Sequence, residues 1–499
     1  MARPYNDSGT CLAAAKKLNI VLASAEVAPL AKTGGLADVA SALPAWLHDA
    51  GHDVRLLMPR YAMLERQDLK IHKVRQLQDL VLRAGTREIR YAIDTTILPG
   101  TSLPVLLLRC PELYGRDSIY TEDADEHLRF ILLSRAALEM CRQMHFAPDI
   151  VHCHDWHTAL IPLYLRARYG SDALFRKARS VMTIHNIGYQ GVFGAGILDE
   201  LGLGGAAGLL HQDDLKAGQI NFLKTGLLHA DLITTVSPTY AQEIQGPEYG
   251  AGLDGLLRQR ADSVIGILNG VDYAEWNPAT DALIAANYTA DDLSGKRTCK
   301  RALMKALELT AGGEQPLVGI VSRLVGQKGF ELVANVLPGL MLERDFSLAV
   351  LGSGESRYER LFSRLQEVFP DRVHFSKGYN NELAHQIEAG ADLFLMPSRY
   401  EPCGLNQMYS LKYGTVPIVR KTGGLADSVQ AVDAQSASGT GIVFEHYDDS
   451  GLRWALRTAL DLYSNAPVFR QIMLNGMAED FSWASQGALY EALFRRQLE

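Results

Sequence analysis

Three clusters in this chain set cations, glycines or an acid where a strand gives way to a helix. The first is the word KTGGLAD, Lys32–Asp38, which recurs unchanged at Lys421–Asp427. Glycines let the backbone approach a ligand closely, a following helix start favours an anion, and Lys32 adds a full positive charge. The spacing is neither G-x-G-x-x-G nor a P-loop ending in G-K-[ST], and a tight structural turn accounts for the glycines equally well. The second cluster, VSRLVGQKG (Val321–Gly329), puts Arg323 and Lys328 just past a strand. A planar guanidinium and a point-charge ammonium together suit a diphosphate, although an isolated pair is more simply a solvated basic loop. The third, SRYEPCGLNQ (Ser398–Gln407), opens a helix after Glu401, so free N–H groups around Gly404, Leu405 and Asn406 could bind phosphate. An acid beside an anion is unfavourable unless it meets sugar hydroxyls or developing positive charge. A helix-capping role is the plainer alternative for Glu401.

HCHDWH (His152–His157) looks like a metal cluster, but zinc rarely takes consecutive residues from one strand end without a distant second pair. Substrate hydrogen bonding from Asp155 and its neighbours is the better reading. His185 in TIHN ends the next strand and could face the same cleft, though a lone histidine is more often structural. The D-x-D in EDADEH (Glu122–His127) reads as helix-start chemistry.

The elements that must position these groups alternate. Apolar runs at Leu18–Val27, His52–Pro59, Asp149–Trp156, Ser180–Asn186, Ala230–Ser237 and Ser263–Asp272 read as buried parallel strands with helical patterns between most of them. After Asp272 a polar stretch, Tyr273–Lys300, reads as a hinge region, and the pattern restarts at Pro316–Leu324, Phe346–Gly354, Asp392–Ser398 and Val416–Arg420. Strands alternating with helices predict α/β sheets, here two doubly wound domains in tandem, with ligands beyond the carboxyl ends of the strands.

Length agrees, since 499 residues exceed one ordinary domain. A net charge of −8 argues against a nucleic-acid surface, which needs clustered Lys and Arg. The six cysteines include no C-x-x-C pair, so reduced thiols in the cytoplasm are expected. No apolar run approaches a membrane span, and residues 1–17 lack the apolar core of a signal peptide and read as a loose extension.

Together KTGGLADV, HCHDWHTAL, TIHNIGYQG, TVSPTYAQEI, GILNGVD, VSRLVGQKG and PSRYEPCGLNQ, in this order from about Leu18 to the end, resemble the bacterial glycogen synthases and plant starch synthases. The resemblance implies a GT-B glycosyltransferase: two Rossmann-like doubly wound domains facing across a deep cleft. It implies an N-terminal acceptor-side domain over 18–264, a nucleotide-sugar domain over 265–477, and a helix within 478–499 crossing back to the first domain. The implied reaction moves glucose from ADP-glucose to the non-reducing end of an α-1,4-glucan with retention, without metal or cofactor.

The resemblance also assigns roles. Lys32 with Gly34 and Gly35 falls on the donor's diphosphate, and Asp38 on a cleft aspartate. Arg323 and Lys328 fall on the paired diphosphate cations, His185 and Glu401 beside the transferred glucose, and Asp155 and Asn186 on the sugar side. Asn269 and Tyr379 fall on the nucleotide side, Tyr379 as a stacking partner for adenine. Cys403, Gly404, Leu405 and Asn406 fall on the phosphate loop, Asn406 standing where many bacterial members have threonine. Lys328→Ala is expected to cut turnover while leaving thermal stability near wild type. For the second KTGGLAD copy the expectation is a tight turn and a structural or domain-contact role for Lys421. The rivals are a UDP-glucose-dependent enzyme on the same fold and a non-catalytic glucan-binding protein.

Overall fold

The structure, a computed structural model, describes residues 16–310 and 314–499. Cys11 and nearly all of the expected extension over 1–17 lie outside the described residues. Two sheets organise the rest. In the first, the strands run edge to edge as Val264–Gly266, Leu232–Thr235, Arg179–Ile184, Ile150–His154, Asn19–Ala23, Asp53–Pro59, Pro104–Arg109, Arg87–Ile97 and His72–Lys73, with Leu80–Ala84 also paired to Arg87–Ile97. The first seven pair in parallel. Around Arg87–Ile97 the pairing is antiparallel. The second sheet is parallel throughout, in the order Val373–Lys377, Ser347–Gly354, Leu317–Leu324, Leu393–Met396, Val416–Arg420, Ile442–Phe444.

Connectivity explains where a site can form. Asn19–Ala23 lies between Asp53–Pro59 and Ile150–His154, paired through Ile20↔Val54 and Ile20↔Ile150. The chain leaves those neighbours in opposite directions, which opens a crevice beyond the strand ends at that point. The loop carrying Lys32 and the turn at Asp155 meet there. In the second sheet Leu317–Leu324 lies between Ser347–Gly354 and Leu393–Met396, and the corresponding crevice takes the Gly326–Gly329 and Pro397–Leu405 loops. The two crevices carry the groups singled out from the sequence.

Burial drives these elements. Ile20, Val21, Leu22 and Ala23 are all inaccessible, as a strand covered on both faces requires. The helix Gly35–Asp49 buries Leu36, Val39, Ala40, Leu43 and Leu47, three and four apart on one face. Removing Leu43 and Leu47 from water contributes about 2 kcal/mol each. The helix ends where Gly51 takes φ +93°, a conformation that costs glycine no steric strain.

Helix Trp483–Arg496, capped by Ser482 Oγ accepting from Ser485 N–H, lies against Gly35–Asp49. A Cβ on Gly487 would fall 2.5 Å from the Trp46 ring, so glycine permits that close approach. Tyr490 and Phe494 bring their rings to 5.8 and 5.5 Å of His152.

The polar stretch Tyr273–Lys300 is not a bare hinge. Trp276 stacks between His385 and Tyr409 at 3.8 and 4.0 Å, and Asp281 accepts from His385 Nδ1 at 2.7 Å and Tyr413 OH at 2.6 Å. The segment also contains the start of helix Ser294–Ala306. Low apolar content misleads here because aromatic stacking and buried hydrogen bonds replace aliphatic packing. No helix among the described residues is long and apolar enough to cross a membrane.

Candidate active site

On the first wall, the Lys32 loop is built around a buried acid that sequence reading missed. Glu26 accepts from Thr33 N–H at 2.5 Å, Thr33 Oγ1 at 2.6 Å, Gly34 N–H at 3.3 Å and Tyr120 OH at 2.5 Å. That grip holds the turn before the helix begins at Gly35. The signal available was an acid inside the apolar run LNIVLASAEV. Lys32 Nζ then pairs with Asp38 Oδ1 at 2.7 Å. Burial opposes the Lys32 charge, but Asp38 outweighs it and the lysine's pKa rises. Burial also raises the pKa of Asp38, and there it outweighs the pull of Lys32. A Cβ on Gly34 or Gly35 would meet nothing within 4 Å. No protein neighbour demands glycine at either place, and the open space lies where a ligand could approach the backbone.

Asp155 starts the short helix Asp155–Thr158 with φ +53°. Its Oδ1 accepts from His185 N–H at 2.7 Å, and Asn186 N–H also reaches the carboxylate. Burial nonetheless pushes Asp155 up to about 7. The structure thus joins Asp155, His185 and Asn186 in one unit, with Asn186 Oδ1 accepting from Gly188 N–H at 3.0 Å. Burial lowers His185 to about 3, so its ring is neutral at pH 7. His154, weighed in the sequence only as part of the HCHDWH run, has its Nδ1 2.9 Å from His185 Nε2. His154 Nε2 has no partner among the described residues. A buried unpaired acceptor is less costly than a buried unpaired N–H, so His154 Nδ1–H donates and His185 carries its proton on Nδ1. Among the described residues no group of three His, Cys, Asp or Glu could hold a metal ion.

On the second wall, Arg323, Lys328, Ser398, Gly404, Leu405 and Asn406 line one cavity with Val321, Ser322 and Met396. The exposed Arg323 guanidinium has no ion-pair partner among the described residues. Lys328 Nζ pairs with Glu401 Oε2, which also accepts from Ser398 Oγ at 3.0 Å. Glu401 therefore does not cap the helix: its carboxylate is committed to a cation at the cavity wall. Gly329 has φ +77°, and a Cβ there would fall 1.9 Å from Pro397 O, so the two crevice loops pack backbone to backbone. Asn406 Nδ2 donates to Val321 O at 2.8 Å, which ties the start of helix Asn406–Lys412 to the strand.

Three expected site residues stand apart from this cavity. Cys403 is buried with its thiol on the Asn269 backbone, and burial pushes it up to about 12. Asn269 is itself buried, its Oδ1 lacking a partner among the described residues. Tyr379 is 76% exposed, its OH donating to Asn381 Oδ1 at 2.8 Å, so a large ring face is open to a planar ligand. Tyr379 and, less strongly, Glu275 also favour the Lys32 charge from the second half of the chain.

Known proteins resemble this chain in sequence and fold. Residues 19–259 match the family described as starch synthase catalytic domain, and residues 307–471 match glycosyl transferases group 1. Glycogen synthase 1 of Geobacter sulfurreducens is 44% identical over 97% of this chain and 97% of its own length. The glycogen synthase of Myxococcus xanthus is 46% identical over 96% of this chain and 99% of its own. The solved catalytic domain of starch synthase IV from Arabidopsis thaliana, bound to ADP and acarbose, superimposes with a TM-score of 0.87 at 36% identity, covering 97% of this chain and 100% of that one. Two α/β sheets with facing crevices and these matches define a glycosyltransferase of GT-B fold. Within that class, the chain belongs to the glycogen synthase and starch synthase family.

Proposed function

We propose that this chain transfers glucose from ADP-glucose to the non-reducing end of an α-1,4-glucan, with retention, in the cytoplasm. The observation that carries the reading is the second-wall cavity, where Arg323 and Lys328 converge with the Gly404–Asn406 turn at the carboxyl end of a parallel sheet. Glycosyl transfer leaves negative charge on a departing diphosphate. Cations held before the reaction stabilise that charge without reorganising, which is why fixed geometry matters. Arg323 offers a fork with no ion-pair partner among the described residues, Lys328 a charge already oriented by Glu401, and Lys32 a third cation from the facing wall. Glu401 and the His185 unit are assigned to the sugar, where developing positive charge favours a carboxylate and a neutral Nδ1–H favours a hydroxyl. Adenine is assigned to the open face of Tyr379. Closure of the two walls would exclude water so that glucan captures the glucosyl group. Among the described residues five buried cysteines are unpaired, Cys110, Cys141, Cys153, Cys299 and Cys403, which agrees with a reducing compartment.

A donor competition tests the substrate. ADP-glucose and UDP-glucose are offered together with glycogen, and each released nucleotide is measured. Release dominated by ADP is expected. Release dominated by UDP would move the assignment to the rival donor, and release of neither would leave a glucan-binding protein.

A further inference from the structure

The second KTGGLAD copy has no part in binding the donor above, and its surroundings show what it touches. Its Thr422–Gly423 turn is gripped by a carboxylate as the Thr33–Gly34 turn is gripped by Glu26. Glu243 Oε1 accepts from Thr422 Oγ1 at 2.8 Å and from Gly423 N–H at 3.1 Å, with Oε2 at 3.2 Å from the same N–H. The difference is the origin of the acid. Glu26 precedes its own turn by a few residues, whereas Glu243 ends the helix Pro238–Glu243 of the first half. Beside it runs a reciprocal contact. Asp427, in helix Gly423–Ser428, accepts from Thr239 N–H at 2.9 Å and Thr239 Oγ1 at 2.6 Å. Each half lends a carboxylate to the helix start of the other. Lys421 takes no part, since it pairs with Glu445 at 2.6 Å in the open.

The far side of the same turn holds the Glu401 loop. Gly424 N–H donates to Glu401 C=O at 3.1 Å and to Pro402 C=O at 3.2 Å. A Cβ on Gly423 would fall 1.9 Å from Glu401 O, and one on Gly424 2.0 Å from Cys403 O. Backbone thus packs on backbone with no slack, in contrast to the open space around Gly34 and Gly35. A displacement of the turn must carry the Glu401 backbone with it.

We propose that Glu243 is a positioning residue for Glu401. It grips the Thr422–Gly423 turn from the opposite half, and so sets the Glu401 loop only while the two halves are docked. The proposal rests on the transferase reading in that Glu401 matters to turnover only there. The repeated word is then one turn that always requires a carboxylate. Used within one half it presents Lys32, and used between halves it reports docking to the acid.

The test uses Glu243→Gln in the full-length protein. Hydrogen–deuterium exchange of the peptide spanning 398–406 is read first, because it does not depend on activity. Faster exchange there is expected, with the melting temperature close to wild type. Kinetics follow: kcat with ADP-glucose and glycogen should fall by about tenfold to a hundredfold, as for misplacement from a distance, while the Kd for ADP stays within about twofold. Thr422→Val should show the same split, and Thr422→Ser should recover most of the lost rate. On a Glu401→Gln background, adding Glu243→Gln should cost nothing further. Unchanged exchange at 398–406, or losses that multiply on that background, would overturn the proposal. Absence of turnover in wild type would instead count against the transferase reading alone, leaving the exchange result to decide this one.

Discussion

Lys328 and Glu401 form a single unit, and that changes what a substitution at either does. Glu401 is almost fully buried, with Lys328 and Ser398 as its partners. Lys328→Ala strands a buried carboxylate, so the sequence-based expectation of unchanged stability no longer holds. A loss of about 3 kcal/mol is expected by calorimetry, together with the fall in turnover. Lys328→Met with Glu401→Gln should recover most of the stability and none of the turnover. Recovery of both would show the pair to be scaffolding. Asp155 gives a pH-dependent result. An unfolded aspartate titrates near 4, whereas folded Asp155 titrates at about 7. Between those values the folded chain holds a proton that the unfolded one has released. The contribution of Asp155 to stability is therefore greatest below the unfolded value and falls as pH rises through the folded one. Asp155→Asn keeps an acceptor for His185 N–H and suits the positive φ. Its melting temperature relative to wild type should rise between about pH 4 and pH 7, and a gap independent of pH would contradict the assignment. Lys32, Arg323, Lys328 and Glu401 were legible because charge at a strand end is conspicuous. Glu26, Glu243 and the contact of His154 with His185 were not. Their importance lies in which backbone N–H or ring nitrogen they face, and one sequence does not carry that.

Most parallel strands were legible from their apolar runs. Those expected stand near their expected places because they are apolar on both faces, and Val416–Arg420 coincides with its expected bounds. Pro104–Arg109, Val373–Lys377 and Ile442–Phe444 also pair in parallel and went unread. The antiparallel strands Leu80–Ala84 and Arg87–Ile97 went unread, because charged and polar residues interrupt both and neither holds a long apolar run. The Tyr273–Lys300 stretch holds more packing than its polar sequence suggests, because that packing is aromatic and polar. Helix Trp483–Arg496 gives a direct test at this scale. Gly487→Leu pushes a side chain into Trp46 and should destabilise the chain by about 2 kcal/mol, read by thermal melting. A melting temperature within error of wild type would mean that the helix does not dock as described.

At the scale of the whole molecule, two sheets present one crevice each, and neither holds all the charges that the proposed transfer assigns to the donor. Lys32 comes from the first, Arg323 and Lys328 from the second, and Glu243 links them behind the Glu401 loop. Family membership was readable from ordered motifs, whereas the contacts between halves emerge only when the chain is folded. Coupling of transfer to glucan is the claim on which this division of labour rests. The decisive measurement follows ADP released from ADP-glucose and glucose gained at glycogen non-reducing ends in the same reaction. One glucose in α-1,4 linkage gained per ADP, with little ADP formed when glycogen is omitted, is the expected result. ADP released at the same rate without glycogen, or with no glucose gained, would contradict it.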